Sequence, residues 1–278
     1  MKMLDVQGVK VPALGFGTWQ ITGDACVEAV GDALDIGYRH IDTAQAYGNE
    51  AEVGQAIDES SVAREDVFLT TKVWNDKKTR QEIIDSVDES LDKLRVDAVN
   101  LLLIHWPIED ERSIEATVDV FTEVMESGKT RAIGVSNFVP AQVKLAVARA
   151  PIFSNQVEYH PLLGQGPLLE LAHAHDHMIT GYTPLARFDD AIFADGGAVA
   201  RIADEVGKSR VQVVLRWFME QERVSVIPKA SSHAHRKQNF EIFDFELTPA
   251  QVGAIDALEA GRRMITPSWS PAQWGVGG

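Results

Sequence analysis

The sequence predicts an α/β barrel, because strand-like and helix-like segments alternate along the whole chain. Short apolar runs rich in β-branched residues recur eight times, and stretches with helical spacing of apolar residues separate them. No linker rich in Pro, Gly or Ser interrupts this alternation, so we expect one domain over residues 1–278. Eight such units favour a closed (β/α)8 barrel over an open sheet, and about 250 residues is an ordinary length for that fold.

Each element follows from the local pattern. At the N-terminus, Met3–Val6 and Val9–Val11 flank Gln7-Gly8 and predict a small hairpin that plugs one end of the barrel. The predicted barrel strands are Ala13–Gly17, Tyr38–Asp42, Val67–Val73, Ala98–His105, Arg131–Ser136, Ser154–Glu158, Met178–Tyr182 and Val224–Pro228. Helical periodicity is clear between them, for example in Cys26–Asp35 and Ile83–Leu94. We expect the Pro-, Trp- and Gly-rich segment Arg262–Gly278 to be a loop over the barrel mouth.

Composition and charge argue against several classes of protein. The chain carries 26 Lys and Arg against 41 Asp and Glu, a net charge of −15, which repels polyanions and disfavours a nucleic-acid partner. No run of about 18 apolar residues occurs, so no membrane span is predicted. The single cysteine, Cys26, and an N-terminus without an apolar leader predict a cytoplasmic protein. The acid excess fits an ordinary acidic surface and adaptation to high salt equally well.

Polar residues that close apolar strands are the first candidates for a functional site, because chemistry in a barrel lies at the C-terminal ends of the strands. Asp42 and Tyr47 follow the second barrel strand, Lys72 lies at the end of the third, and His105 closes the fourth. Strand alternation allows them to share the barrel interior. A phenol with a pKa of about 10 is a weak acid at neutral pH unless a nearby cation assists it. Lys72 would be that cation, and Asp42 would keep it charged.

These motifs make the chain similar to the aldo-keto reductases over essentially its full length. The matching segments are Gly17-Thr18-Trp19, residues 42–50 (DTAQAYGNE), Thr71-Lys72-Val73-Trp74, His105-Trp106-Pro107, residues 134–138 (GVSNF), residues 155–161 (NQVEYHP) and Ile227-Pro228-Lys229. Within the family, the chain most resembles the bacterial and archaeal branch that contains the 2,5-diketo-gluconic acid reductases. The resemblance implies a monomer that reduces small carbonyls or keto-sugars with NADPH or NADH and needs no metal.

The resemblance also implies roles for individual residues. Tyr47 would donate a proton to the carbonyl oxygen, Lys72 paired with Asp42 would lower the pKa of Tyr47, and His105 would orient the carbonyl. The cofactor positions are Ser136, Asn137 and Gln156 for the carboxamide, Tyr182 for the nicotinamide ring, Leu185 and Arg187 for the pyrophosphate, and Gln238 and Asn239 for the adenine. The substrate positions are Trp19, Trp74, His105 and Trp106, with Trp269 or Trp274 of the tail closing the pocket.

The adenine end departs from the pattern of relatives that prefer NADPH. Those relatives carry Lys-Ser or Lys-Thr after the last strand and an Arg six positions beyond the Lys. Here Lys229 is present, but Ala230 comes before Ser231, and His235 stands at the Arg position with Arg236 one residue later. An imidazole replaces a guanidinium that could bind a 2′-phosphate in a bidentate way. Either Arg236 compensates or NADH is used well, and we expect both cofactors to be used.

Two other functions stay open. A cofactor-binding or regulatory protein on the same barrel would bind without turnover, although the intact set of Asp42, Tyr47, Lys72 and His105 speaks against it. An aldolase with Lys72 as a Schiff base would need a neutral amine, whereas a paired Asp42 keeps the lysine protonated. Each residue alone also has a structural explanation, such as a turn, a buried ion pair or a core imidazole.

Overall fold

Eight parallel strands form a sheet that closes into a barrel in the computed structural model, which describes residues 1–107, 112–268 and 270. A hairpin of β1 (Met3–Val6) and β2 (Val9–Pro12) precedes β3 (Phe16–Gly17), β4 (His40–Asp42), β5 (Phe68–Val73), β6 (Leu101–Ile104), β7 (Ile133–Ser136), β8 (Ser154–Glu158), β9 (Met178–Tyr182) and β10 (Val224–Val226). Strands that follow one another in the chain, from β3 to β10, are neighbours in the sheet. A parallel bridge between Leu14 and Val226 joins the first and last strands. The predicted (β/α)8 barrel is therefore confirmed.

Helices surround the sheet and bury their apolar faces against it. In the described ranges they are α1 (Asp24–Ile36), α2 (Glu50–Asp58), α3 (Arg80–Leu94), α4 (Ile114–Glu126), α5 (Pro140–Arg149), α6 (Gly166–Ala174), α7 (Asp190–Phe193), α8 (Ala198–Val206), α9 (Arg210–Met219), α10 (His233–Phe240) and α11 (Pro249–Asp256). The helix predicted over Ile83–Leu94 begins earlier because Thr79 caps it by accepting from the Glu82 backbone N–H. None of the described helices is long and apolar enough to cross a membrane.

Most predicted strands are longer than the observed ones. Among the barrel strands, only β8 and β9 have the predicted bounds. The strand predicted over Ala98–His105 begins at Leu101, because the side chain of Asn100 accepts the backbone N–H of Leu69 at 3.0 Å and so takes the place of a ladder bond. The strand predicted over Ala13–Gly17 is reduced to its last two residues, since the contact of Leu14 with the last strand is an isolated bridge.

The N-terminal hairpin covers one end of the barrel and leaves the other end free. Lys2 Nζ donates to the carbonyl oxygens of Met219 and Gln221 at 2.6 and 2.7 Å, and Gln7 donates to Ile152 O at 3.0 Å. These acceptors precede β10 and β8, so the hairpin lies at the N-terminal ends of the strands. The predicted hairpin is confirmed, and a site at the C-terminal ends stays accessible.

Helices α2 and α3 approach closely at Gly54. A Cβ atom at this position would lie 2.5 Å from Lys93 O and 2.6 Å from the backbone of Leu94. Such distances require a shift of backbone, which cannot move as a flexible side chain would. Gly31 in α1 is different, because a Cβ atom there would meet nothing within 4 Å.

We therefore expect Gly54→Ala to lower the free energy of unfolding by about 1–3 kcal/mol through overpacking. Gly31→Ala is the matched control and should raise it by up to about 1 kcal/mol, because alanine favours the helix. Urea unfolding followed by circular dichroism measures both. Equal effects of the two substitutions would contradict the close helix approach.

Candidate active site

A buried lysine lies at the centre of the site. Lys72 is on β5, has no solvent exposure, and uses its ammonium group in three contacts. Nζ lies 2.6 Å from Asp42 Oδ1, 2.9 Å from Thr43 O and 3.1 Å from Tyr47 Oη. Burial alone would lower the pKa of Lys72, but the negative charge of Asp42 and the Tyr47 oxygen outweigh it and raise that pKa above its usual value. Lys72 is therefore a charged group at neutral pH.

Tyr47 lies beside this ammonium in a short helical turn, Gln45–Tyr47, that follows β4. The Lys72 Nζ atom is 4.7 Å from the centroid of the tyrosine ring. Burial raises the pKa of Tyr47 above its usual value, and the positive charge of Lys72 opposes that rise without reversing it. Lys72 acts on the pKa in the direction expected from the sequence, but the expectation of a lowered Tyr47 pKa is corrected, because burial is the larger effect. Tyr47 holds its proton throughout the neutral range.

Asp42 is held at both carboxylate oxygens. Oδ1 binds Lys72, and Oδ2 accepts a hydrogen bond of 2.7 Å from Gln156 Nε2. Gln156 comes from β8, far from β4 in the sheet order, so this bond crosses the barrel. The carboxylate is only 1% exposed, and its fixed contacts leave it little freedom other than to orient Lys72.

His105 follows β6 and is the third polar group near the phenol. Its ring contacts Tyr47 edge-on with centroids 5.9 Å apart, and contacts Trp74 at 5.0 Å. Burial and then the charge of Lys72 hold the pKa of His105 well below its usual value, so the imidazole is neutral. Within the described part of the chain, the buried Nδ1 atom has no hydrogen-bond partner.

Four predicted cofactor residues converge beside this group. Asn137 has a left-handed backbone with φ of 65°, and its side chain donates to His105 O at 2.9 Å and accepts from the Tyr182 hydroxyl at 2.8 Å. The hydroxyl of Ser136 donates to Gln156 O at 2.9 Å. Tyr182, at the end of β9, is half-buried. The structure therefore brings together Ser136, Asn137, Gln156 and Tyr182.

The predicted aromatic wall is present in part. Trp19 is 50% exposed, and its ring lies 4.8 Å from that of Tyr47. Trp74 is half-buried against His105, whereas Trp106 is almost completely buried and offers little surface. Trp269 and Trp274, predicted to close the pocket, lie outside the described residues.

The residues predicted for the rest of the cofactor have different environments. Lys229 and Ser231 are exposed between β10 and α10. Within α10, His235 is exposed, Gln238 is half-buried and Asn239 is buried. After β9, Leu185 is half-buried and Arg187 is exposed. Arg236 does not join the exposed group. Its side chain is 3% exposed, with Nε 2.5 Å from Asp32 Oδ2 and Nη1 3.3 Å from Ala230 O. A guanidinium held in this way would have to leave a buried ion pair to meet a phosphate.

Sequence reasoning missed the residues that shape the loop carrying Tyr47. The buried side chain of Asn49 accepts from Thr43 Oγ1 at 2.7 Å and donates to Thr18 O and Ile21 O at 2.9 and 2.8 Å. Gln45 likewise accepts the backbone N–H of Trp74 at 2.9 Å. Both residues lie in segment 42–50, and their place in this family motif could have indicated a role. Their hydrogen-bond partners could not be predicted, because those contacts depend on tertiary structure.

These features define a class of protein: a (β/α)8 barrel with buried polar and titratable side chains gathered at the C-terminal ends of its strands, where barrel enzymes carry their active sites. The chain belongs to the aldo-keto reductase family, since the model of the Aldo/keto reductase family matches residues 13–189 and 191–260. It is accordingly an NAD(P)H-dependent oxidoreductase of a family whose reductases act on carbonyl compounds.

Individual relatives agree with this assignment. The chain is 39% identical over 268 residues to the methylglyoxal reductase DkgB of Salmonella typhi, covering 95% of this chain and 99% of that protein. It is 38% identical to an aldo-keto reductase of Mycolicibacterium smegmatis, covering 92% of this chain and 93% of the relative. A crystal structure described as a 2,5-diketo-D-gluconic acid reductase B superposes with a TM-score of 0.92 at 43% identity, covering 98% and 97% of the two chains. The predicted family and branch are confirmed.

Removal of the Asn49 side chain should destabilise the protein. Asn49→Ala leaves Thr43, Thr18 and Ile21 without their buried partner, so we expect the free energy of unfolding to fall by about 3 kcal/mol. Chemical unfolding of the purified variant measures this fall. The control is Gln81→Ala, which removes an exposed amide on α3 and should change stability by less than about 0.5 kcal/mol. A similar small loss for both variants would show that Asn49 does not hold the loop.

Proposed function

We propose that the protein reduces small aldehydes and ketones to alcohols with NADPH or NADH, and that Tyr47 is the general acid. The observation that carries this proposal is the 3.1 Å contact between the buried, charged Lys72 Nζ and Tyr47 Oη. A protonated phenol beside a fixed cation is able to release its proton as negative charge develops on a nearby oxygen. The aldolase alternative is disfavoured, because Lys72 is paired with Asp42 and remains protonated.

Four side chains of the protein have separate roles in the proposed reduction. Tyr47 gives its proton to the carbonyl oxygen, and Lys72 stabilises the phenolate that remains, which is worth a few kcal/mol in the transition state. Asp42 keeps the ammonium charged and directed at the phenol. The neutral imidazole of His105 orients the carbonyl with an N–H donor and does not compete as an acid. When bound, the reduced nicotinamide supplies a hydride to the carbonyl carbon.

Residues at the mouth fit the nicotinamide half of the cofactor. Ser136, Asn137 and Gln156 place hydroxyl and amide groups together, and these groups suit a carboxamide, which both donates and accepts hydrogen bonds. Tyr182 is held by its hydroxyl and is half-buried at the end of β9, and its flat ring suits stacking against a heterocycle. No metal takes part in this proposal.

The same reasoning favours the use of both cofactors. Lys229 and Ser231 are exposed and suit a 2′-phosphate, whereas His235 lacks a fixed charge and Arg236 is bound to Asp32. The site therefore retains one exposed lysine for the NADPH phosphate, while the weakened phosphate contact reduces the advantage of NADPH over NADH.

Compact carbonyls are the proposed substrates. Trp19 and Trp74 offer aromatic surface near Tyr47 and His105, and such walls suit small carbonyls or sugars that lie against a ring face. Relatives named as a methylglyoxal reductase and a 2,5-diketo-D-gluconic acid reductase fit that chemistry. Methylglyoxal and a keto-sugar acid are therefore the first substrates to test. The monomeric state and cytoplasmic location stay predictions of the sequence.

Tyr47→Phe should abolish most of the activity. Loss of the proton donor is expected to lower kcat by a factor of about 100–10,000 while cofactor binding remains. Absorbance of the reduced nicotinamide measures turnover, and quenching of protein fluorescence measures binding. Tyr159→Phe is the matched control, because its buried phenol packs on Trp217 away from the site, and it should keep turnover near that of the unaltered enzyme.

Two results would contradict the proposal. Unchanged turnover in Tyr47→Phe would remove the assigned acid. An unaltered protein that binds both cofactors but turns over no member of a carbonyl panel, at low and at high salt, would favour the non-catalytic alternative.

His235→Arg should shift the cofactor preference toward NADPH. A guanidinium at this exposed position can add a charge-assisted contact to a 2′-phosphate, so the ratio of the NADH Kd to the NADPH Kd should rise by about 10- to 100-fold. Fluorescence titration with each cofactor measures the ratio directly. The control is His173→Arg, at an exposed position of α6. It adds the same charge elsewhere and should leave the ratio of the two Kd values unchanged. An unchanged ratio in His235→Arg would show that this position does not face the phosphate.

A further inference from the structure

A second buried carboxylate lies at the mouth and has no part in the proton transfer. Glu158 ends β8, and its side chain has no solvent exposure. Oε1 accepts from the Met264 backbone N–H at 2.5 Å and lies 2.9 Å from His160 Nε2. Oε2 accepts from the Ile265 backbone N–H at 3.1 Å and lies 3.6 Å from Arg263 Nη1. Three of these four partners belong to the C-terminal segment.

The Glu158 carboxylate is one of several attachments of the C-terminal segment 260–265 to the barrel. Ala260 N and Arg262 N both donate to Leu162 O, at 3.2 and 2.9 Å. Arg262 also pairs with Asp189 at 2.9 Å, but half of its side chain is exposed, and exposed ion pairs contribute little. A buried carboxylate without donors is very unfavourable, so Glu158 and the segment 260–265 stabilise each other.

Glu158 is connected to the candidate active site through neighbouring residues. Glu158 pairs in register with Tyr182 on β9. Burial, and then the Glu158 carboxylate, raise the pKa of Tyr182 well above its usual value, so its hydroxyl remains a donor. That hydroxyl donates to Asn137, which in turn donates to His105 O. The segment therefore contacts β8 at Glu158, directly beside Tyr182 on the neighbouring strand β9, whose ring is proposed to contact the nicotinamide.

We infer that Glu158 is a positioning residue, which holds the segment 260–265 against the rim beside Tyr182 and thereby shapes the carbonyl pocket. This inference rests on the proposed reductase function. A carboxylate is required because both of its oxygens face donors. A glutamine would present one acceptor and one N–H₂ group, and that group would face either Met264 and His160 or Ile265 and Arg263.

Two measurements on Glu158→Gln test the inference. Limited trypsin digestion reports on the segment, because cleavage after Arg262 or Arg263 releases the C-terminal fragment seen by mass spectrometry. We expect release at least about tenfold faster than in the unaltered protein, since local opening no longer breaks two charge-assisted bonds. Steady-state reduction of methylglyoxal reports on the pocket. The KM should rise about tenfold while kcat changes less than about threefold, because Tyr47, Lys72 and Asp42 are untouched.

Two further variants make the test specific. Glu158→Asp keeps the charge with a shorter side chain and should restore part of both the protection and the KM. If Glu158→Gln fails to fold, Glu158→Asp becomes the test variant. Fragment release must then be faster, and the KM higher, than in the unaltered protein. Glu50→Gln alters another buried carboxylate, bound to Thr71 and Ser90, and should leave release of the C-terminal fragment unchanged.

The possible results separate this inference from the proposed function. Faster release with an unchanged KM would overturn the role in the pocket, and unchanged release would overturn the anchor itself. If the unaltered protein turned over no carbonyl, the reductase proposal would fail, and with it the role in the pocket. The digestion would still decide whether Glu158 holds the segment.

Discussion

The need to stabilise one buried positive charge determines the arrangement of this active site. Lys72 has no contact with water, so its ammonium group depends on Asp42, Thr43 O and Tyr47 Oη. These partners come from β4 and the turn after it, and Asp42 is fixed in turn by Gln156 from the far side of the barrel. Removing either member of the ion pair would leave an uncompensated buried charge, so the geometry proposed for proton transfer and the stability of the mouth depend on the same contact.

The parts of the fold that follow from local pattern were predictable. Eight apolar strands and the N-terminal hairpin were found from periodicity, and β8 and β9 matched residue for residue. Other strand ends were misplaced where a side chain replaces the ladder, as Asn100 does for Leu69. The four residues Asp42, Tyr47, Lys72 and His105 could be grouped because their strands end at the same face of a barrel.

The rest depends on contacts between residues far apart in the chain, which no local pattern encodes. Asp32 and Arg236 are 204 positions apart, and their pairing decides that Arg236 is buried and not exposed beside Lys229. The contact of Glu158 with Met264 spans 106 positions and could not be predicted from the sequence either. The pKa of Tyr47 was misjudged for a related reason, because a sequence names the neighbouring cation but does not measure burial, which here has the larger effect.

One electrostatic arrangement recurs in the described part of the molecule. A mostly buried cation is paired with a carboxylate in Lys72–Asp42, Arg236–Asp32 and Arg263–Glu158. A chain with 41 acidic and 26 basic residues supplies such partners readily. Matched pairs cancel most of each other's field, so they orient groups but attract anions weakly. Under the proposed function, attraction of a dinucleotide would come from exposed cations such as Lys229 and Arg187. Cofactor preference would then depend on surface positions, where a single side chain changes the local charge.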